Sequence, residues 1–424
     1  MKGGNITDIT QREGIKLLSR YWKTMNSADE MDVIFVGDVH GDFNQFIAPL
    51  IQSKLITISS DEIEEHIEQG MPIYTPKYII NKNSSVKVVY LGDMVDEWIF
   101  SRSIVYMLHD LLKTIPNNVK YIYGNHDLSI ISRYYLFKSR QLDISEDIPC
   151  LWNTLKKELN YVKNLKIVKN KAFLDGDERK GCDFIFNYCC PLFEHLFTIF
   201  KENLGTVSLV IEINKTQYMI SHTTWTIPAL KQLISTNDST NANRLNDFNP
   251  EQKKPLINET FDLKTELLFI NDVVKHKSCL DYKKLSDAVN KVFRTKTRLY
   301  LSKNLLTYTR TLDNVFLNHI VGHSPGFEYR DQHVNSSPST YDFERKQKLS
   351  PTIISTFKIY YFDFGCSAGY DHDEISRPDY VYTTSKGMFV SNLPALSFIS
   401  LNGKDALLIM KDKTPRSSNK IKFE

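Results

Sequence analysis

A chain of 424 residues is long enough for one large domain with insertions or for two ordinary ones. Its 42% hydrophobic, 24% charged and 12% aromatic content excludes a disordered or fibrous protein. With 53 Lys+Arg against 50 Asp+Glu the formal net charge is only +3, so overall charge carries no nucleic-acid or anionic-membrane signal.

Residues 1–20 lack the apolar core of a secretory signal, and no run reaches the roughly 18 apolar residues of a membrane span; the expectation is an intracellular, cytoplasmic protein. Short apolar, β-branched runs then recur along the chain, each ending in Gly or a polar motif. Residues 32–36 lead into Gly37-Asp38-Val39-His40, and residues 86–91 into Gly92-Asp93. Residues 119–123 lead into Gly124-Asn125-His126-Asp127, residues 217–220 into Ser221-His222, and residues 319–321 into Gly322-His323. Helical patterns at 43–51 and 99–112 separate the first of these, so β-α-β alternation predicts an α/β core with its site at the carboxyl ends of strands.

Three intervals interrupt the pattern. Residues 55–85 read as an insertion carrying a charged, helix-like stretch at 61–65. Residues 128–205 and 224–317 carry helical periodicity and read as insertions that cap the site or dock a partner. Strand-like runs at 358–363, 380–384, 388–392 and 406–410 suggest a closing sheet. The organisation expected is a single domain over 1–410 with a basic, flexible tail at 411–424. The six cysteines include no C-x-x-C pair and read as reduced thiols.

The strand-end residues are metal-ligand types. Carboxylate oxygens and imidazole nitrogens hold divalent transition metals, and a pair of ions about 3.5–4 Å apart activates water and neutralises a phosphoryl transition state. Asp38 and His40, two apart, share a face in extended backbone and can turn toward one ion. Asp93 is placed to bridge two ions, and Asn125, His222 and His323 to complete the second.

In order along the chain, Gly37-Asp38-Val39-His40-Gly41, Gly92-Asp93-Met94-Val95-Asp96 and Gly124-Asn125-His126-Asp127 resemble the motifs of the calcineurin-like metallophosphoesterase superfamily. The glycine after His40 is most similar to its phosphoprotein phosphatase and diadenosine tetraphosphatase branch. Ser221-His222, Gly322-His323-Ser324 and Asp363-Phe364-Gly365 resemble that branch's later motifs. The resemblance implies a sandwich of two mixed β-sheets flanked by helices, with a di-metal site at the loop edge. It assigns Asp38, His40 and Asp93 to one ion and Asp93, Asn125, His222 and His323 to the other; Asp, His and Asn donors suit manganese, iron or zinc. It also implies that His126 protonates the leaving oxygen, that Asp96 orients and charges His126, and that a hydroxide bridging the metals attacks phosphorus in line.

Two departures bear on substrate. The phosphatase branch continues its second motif with Arg-Gly, whereas Glu97-Trp98 stand here, so the phosphate-clamping guanidinium is replaced by a carboxylate. Arg102 and Arg133 are the candidates to supply the missing charge. Asp127 replaces the branch's usual Glu, a milder change. Trp98, Phe100, Trp225, Tyr90, Tyr121 and Tyr123 are read as core packing rather than as stacking platforms. The leading reading is a phosphomonoesterase acting on a phosphoprotein. A phosphodiesterase or nucleotide pyrophosphohydrolase is the alternative, and an inactive binding module on the same fold is the third.

Overall fold

The computed structural model describes residues 11–24, 30–159, 162–202, 204–206, 208–213, 216–222, 318–322, 359–361, 375–376, 380–385, 387–391, 395–401 and 404–410. In chain order the elements begin α1 (Gln11–Lys23), β1 (Val33–Val36), α2 (Phe43–Gln52), β2 (Ile56–Glu68), β3 (Met71–Ile80), β4 (Lys87–Tyr90), α3 (Ser101–Thr114) and β5 (Val119–Tyr121). A helical stretch follows: α4 (Asn125–Ile131), α5 (Tyr134–Lys138), α6 (Ile144–Asp147), α7 (Pro149–Leu159), the strands β6 (Leu165–Val168) and β7 (Lys171–Leu174), and α8 (Glu178–Lys201). Then come β8 (Ser208–Ile213), β9 (Thr216–Ser221), β10 (Asn318–Val321), β11 (Ile359–Tyr361), β12 (Ile375–Ser376), β13 (Tyr380–Thr384), β14 (Gly387–Val390), β15 (Ala395–Leu401) and β16 (Lys404–Met410).

Two mixed sheets form the centre. One has the order β14-β13-β1-β4-β5, with β1, β4 and β5 parallel and β13 antiparallel to β1. The other has the order β11-β10-β9-β8, with β9, β10 and β11 parallel and β8 antiparallel to β9. The period of two along a strand divides the first sheet's side chains between two cores. Ile34, Val36, Val88, Tyr90, Val119 and Tyr121 face the large core shared with α1, α2, α3 and α8. Phe35, Val89 and Leu91 face Tyr218, Ile220 and Ile320 of the second sheet. Burial on both faces explains why these strands are near-continuous apolar runs. It also fixes the architecture as two mixed sheets flanked by helices.

Parallel strands send their carboxyl ends the same way, which brings the five motif loops to one edge. α2 begins at an Asp42 cap whose carboxylate accepts from Asn44 N (2.8 Å) and Gln45 N (3.2 Å), the turn chemistry that stops β1's loop and starts the helix.

Residues 61–65 are not helical. They lie in β2, which pairs with β3 from Ile56↔Ile80 to Glu68↔Met71, with an irregularity between Ile58 and Ile63. Alternating Ile and Thr suit a pleated surface, and the two-residue turn Gln69-Gly70 has positive φ at both positions (51° and 74°), matching the twist of a tight hairpin. These local signals outweigh the helix-like spacing of the charges. The four late strand-like runs do not form one closing sheet: β13 and β14 extend the first sheet, β11 the second, and β16 pairs with β15 in a third, ordered β12-β15-β16. The expected interval 224–317 and tail 411–424 lie outside the described residues. Among the described residues no helix is long and apolar enough to cross a membrane.

Candidate metal centre

The first two motif loops are tied together through their backbones. Val39 N and His40 N donate to Asp93 O (3.1 and 2.7 Å), Gly41 N to Met94 O (3.0 Å) and Trp98 N to His40 O (3.0 Å). To make these contacts His40, Asp93, Asp96 and Glu97 all take positive φ (46°, 44°, 75° and 63°), conformations that cost L-residues free energy and that cluster at functional sites. Asp127 bonds the second loop to the third, its buried carboxylate accepting from Met94 N and Gly124 N at 2.9 Å each. Burial, and then the charge of Asp93, push the Asp127 carboxyl up to about 6.

Asp93 is the hub. Its Oδ2 lies 3.8 Å from His40 Nε2, 3.3 Å from His222 Nε2 and 3.9 Å from His126 Nε2. Asp38 lies beside it, with Oδ2 3.7 Å from His40 Nε2 and Oδ1 3.7 Å from His222 Nδ1. Asn125 Oδ1 is 3.1 Å from His222 Nε2. Asp38, His40, Asp93 and His222 are all nearly inaccessible to solvent.

Glycines make room for this packing. A Cβ on Gly124 would sit 2.1 Å from Asp93 N and Oδ1, one on Gly92 2.4 Å from His222 Nδ1, and one on Gly322 2.7 Å from Asp38 Oδ1. Two groups that could hold a cation result, His40/Asp93/His126 and Asp38/Asp93/His222, with the donor atoms of each within 4.8 Å of one another and Asp93 common to both.

The donor set fits divalent metals. His222 Nδ1 bonds Leu91 O at 2.8 Å and His40 Nδ1 lies 3.3 Å from Val95 O, which orients both rings and leaves each Nε2 facing the carboxylates. Burial outweighs the Asp93 charge at His40 and lowers its pKa to about 3, so the ring is neutral, the form that ligates a cation.

Residues 31–203 match the calcineurin-like phosphoesterase family. The chain carries a calcineurin-like phosphoesterase domain and is a metal-dependent phosphoesterase. A comparison with curated proteins finds no match. Among solved structures it is similar, at 12% identity, to the cold-active protein-tyrosine phosphatase of a psychrophile Shewanella sp., with a TM-score of 0.36 over 92% of this chain and 84% of that one. A point mutant of a cold-active protein tyrosine phosphatase gives a TM-score of 0.39 at 12% identity, over 92% of this chain and 84% of that one.

Within this phosphoesterase the structure gathers Asp38, His40, Asp93, Asp96, Asn125, His126 and His222 at one edge. His323 lies outside the described residues, although Gly322 before it rests against Asp38. Asn125 is not at a strand end but in the first turn of α4, behind Gly124. His126 N donates to Asp93 Oδ1 at 2.9 Å and its Nδ1 lies 2.8 Å from Asp96 Oδ2. Burial alone would lower the His126 pKa, but the Asp93 charge and the Asp96 hydrogen bond and charge prevail and raise it to about 10.

Both candidate arginines are engaged by other groups. Arg102, 3% exposed, donates to Pro72 O at 2.8 Å and lies over the Tyr188 ring at 3.9 Å, because its face of α3 packs on α8 and β3. Arg133 folds back on the last turn of α4, with Nη1 2.9 Å from Ser129 Oγ and 3.0 Å from Ser129 O. Trp98, Phe100, Tyr90, Tyr121 and Tyr123 are buried in the core, and Trp225 lies outside the described residues.

Sequence reasoning missed Asp127 as the brace between loops, for which its place three residues after Gly124 was the available signal. It also missed Ser101, whose Oγ lies 3.1 Å from Asp96 N, and Lys157 of α7, whose Nζ lies 3.4 Å from Glu97 O.

Proposed function

We propose that this phosphoesterase hydrolyses phosphomonoesters, with phosphoproteins as the substrate class, at two metal ions that share Asp93. The observation that carries this reading is the His126–Asp96 pair set against Asp93: an imidazole held by a carboxylate at 2.8 Å, with its Nε2 3.9 Å from the shared ligand. In the proposed assignment Asp38, His40 and Asp93 hold one ion, and Asp93, Asn125, His222 and His323 the other; manganese, iron and zinc all suit these donors. When bound, the ions supply an acidified water as nucleophile and positive charge for the phosphoryl oxygens.

The chain's own residues do the remainder. Asp96 holds the His126 ring by Nδ1 and favours its protonated form, so Nε2 presents a proton to the departing ester oxygen. The hydrogen bond that Asp96 N donates to Ser101 Oγ, together with the positive φ of Asp96, fixes the backbone that carries this carboxylate.

A second reading, phosphodiester or pyrophosphate hydrolysis, is favoured by one feature. Glu97 sits partly buried beside His126, where a carboxylate disfavours the more highly charged monoester. Turnover of p-nitrophenyl phosphate and bis-p-nitrophenyl phosphate by metal-stripped protein resupplied with manganese separates the two. Monoester turnover that disappears in Asp93→Asn and His126→Asn supports the proposal. A diester preference replaces it with the second reading, and no metal-dependent turnover of either leaves a binding module.

A further inference from the structure

The helical interval after the third motif reaches back to the loop of the second. In α7, Leu151, Trp152, Leu155 and Leu159 are buried in the core and anchor the helix. Cys150 and Lys157, seven residues apart, share another face. The Lys157 end of that face meets Glu97, where Nζ donates to the Glu97 carbonyl oxygen at 3.4 Å. α7 therefore brings an ammonium to the loop that carries Glu97, the residue after Asp96.

Glu97 directly follows Asp96, takes positive φ and is half-buried. Burial raises its carboxyl pKa, and the charges of His126 and Lys157 both act to lower it, so a cation from either side compensates an anion at the rim. Of the other cations near the second motif, Arg102 is committed to Pro72 and Tyr188, and Arg133 to Ser129. Lys157 is carried to the Glu97 loop on an anchored helix.

We propose that Lys157 is a specificity-determining residue: it balances the charge of Glu97 and so lets a phosphoryl dianion occupy a centre whose rim carries a carboxylate. This inference rests on the phosphoesterase reading and deepens it by naming what admits the doubly charged ester. The two residues act as a pair. Without Lys157 the carboxylate repels the substrate's phosphoryl group; without both charges the repulsion is gone.

The test is binding of inorganic phosphate to the manganese-loaded full chain by titration calorimetry, beside steady-state kinetics on the monoester. Lys157→Met is expected to weaken phosphate binding and raise KM about tenfold with kcat little changed, since a removed rim charge acts on association of the anion. Glu97→Gln is expected to tighten phosphate binding, and the Lys157→Met/Glu97→Gln double variant to return to within about threefold of the parent, the non-additivity that marks a coupled pair. Lys157→Arg keeps the charge and keeps affinity, which separates a charge role from a packing one. Equal affinity in Lys157→Met, or a deficit that Glu97→Gln does not restore, overturns the inference while leaving metal-dependent turnover of the parent intact. A loaded parent that neither binds phosphate nor turns over an ester overturns both this inference and the functional reading.

Discussion

His126 Nδ1 lies 2.8 Å from Asp96 Oδ2, and the two residues come from different strand-end loops joined through Asp93, whose Oδ1 accepts the His126 backbone N–H. The proposed acid and the proposed metal ligand are thus positioned by one shared contact. Asp96→Asn removes the charge and leaves the shape. Turnover of an alkyl phosphate is expected to fall by about 10²-fold or more, as for loss of a positioned general acid. The loss should be smaller with p-nitrophenyl phosphate, whose leaving group needs no proton. Equal losses on both esters would remove His126 from the protonation step.

Metal content distinguishes the hub from the periphery. Asp93 belongs to both ligand groups and His222 to one. Asp93→Asn is expected to lose both ions from a content of about two per chain, and His222→Asn about one, read by inductively coupled plasma mass spectrometry on dialysed protein. Identical losses in the two variants would contradict a shared ligand.

Gly124→Ala tests the packing beneath the ligands. The added Cβ would meet Asp93 N and Oδ1 at 2.1 Å, and neither a backbone nitrogen nor a braced ligand can yield cheaply. A destabilisation of about 1–3 kcal/mol or more is expected from overpacking, with loss of bound metal, measured by denaturant titration of the loaded protein.

Arg102 is expected to matter for stability and not for substrate. Arg102→Met gives up the hydrogen bond to Pro72 O, the stacking on Tyr188 and the charge that opposes burial at Glu158, whose pKa is raised to about 8. About 2–4 kcal/mol of stability should be lost. KM for the ester should stay near the parent value, and a large rise in KM at unchanged stability would return Arg102 to the substrate site.

The pH dependence of the metal-stripped protein has a defined sign at His40. Its folded pKa of about 3 lies below the ordinary value of 6.5, so between those limits the unfolded chain binds the extra proton. Stability therefore falls as pH is lowered from about 6.5 toward 3, and His40→Asn should flatten that slope in denaturant titrations at successive pH values. His126 acts in the opposite sense. Its folded pKa of about 10 gives stability that is fully present below 6.5 and lost as pH rises through 10.

The strand-end motifs were legible because β1 and β4 are buried on both faces, which makes each a plain apolar run that stops at its ligand loop. Helices α2 and α3 were legible from their period. The charged stretch at 61–65 misled because its acidic spacing suits a helix face, while the deciding signals were the alternating Ile and Thr and the Gln69-Gly70 turn. For Arg102, nearness in sequence to Asp96 does not say which way its face of α3 points, and its contacts with Pro72 O and Tyr188 are tertiary. Lys157 carried no local signal at all: its meeting with Glu97 depends on how α7 packs, a tertiary relation that spacing does not encode.

Asp38 follows β1 in the first sheet, and the glycine that must close against its carboxylate, Gly322, follows β10 in the second. The centre is therefore assembled by a contact between distant parts of the chain, one whose loop-closure entropy is met only after each sheet exists. In a refolding experiment, uptake of metal is expected to serve as a chemical clock for the docking of one sheet upon the other.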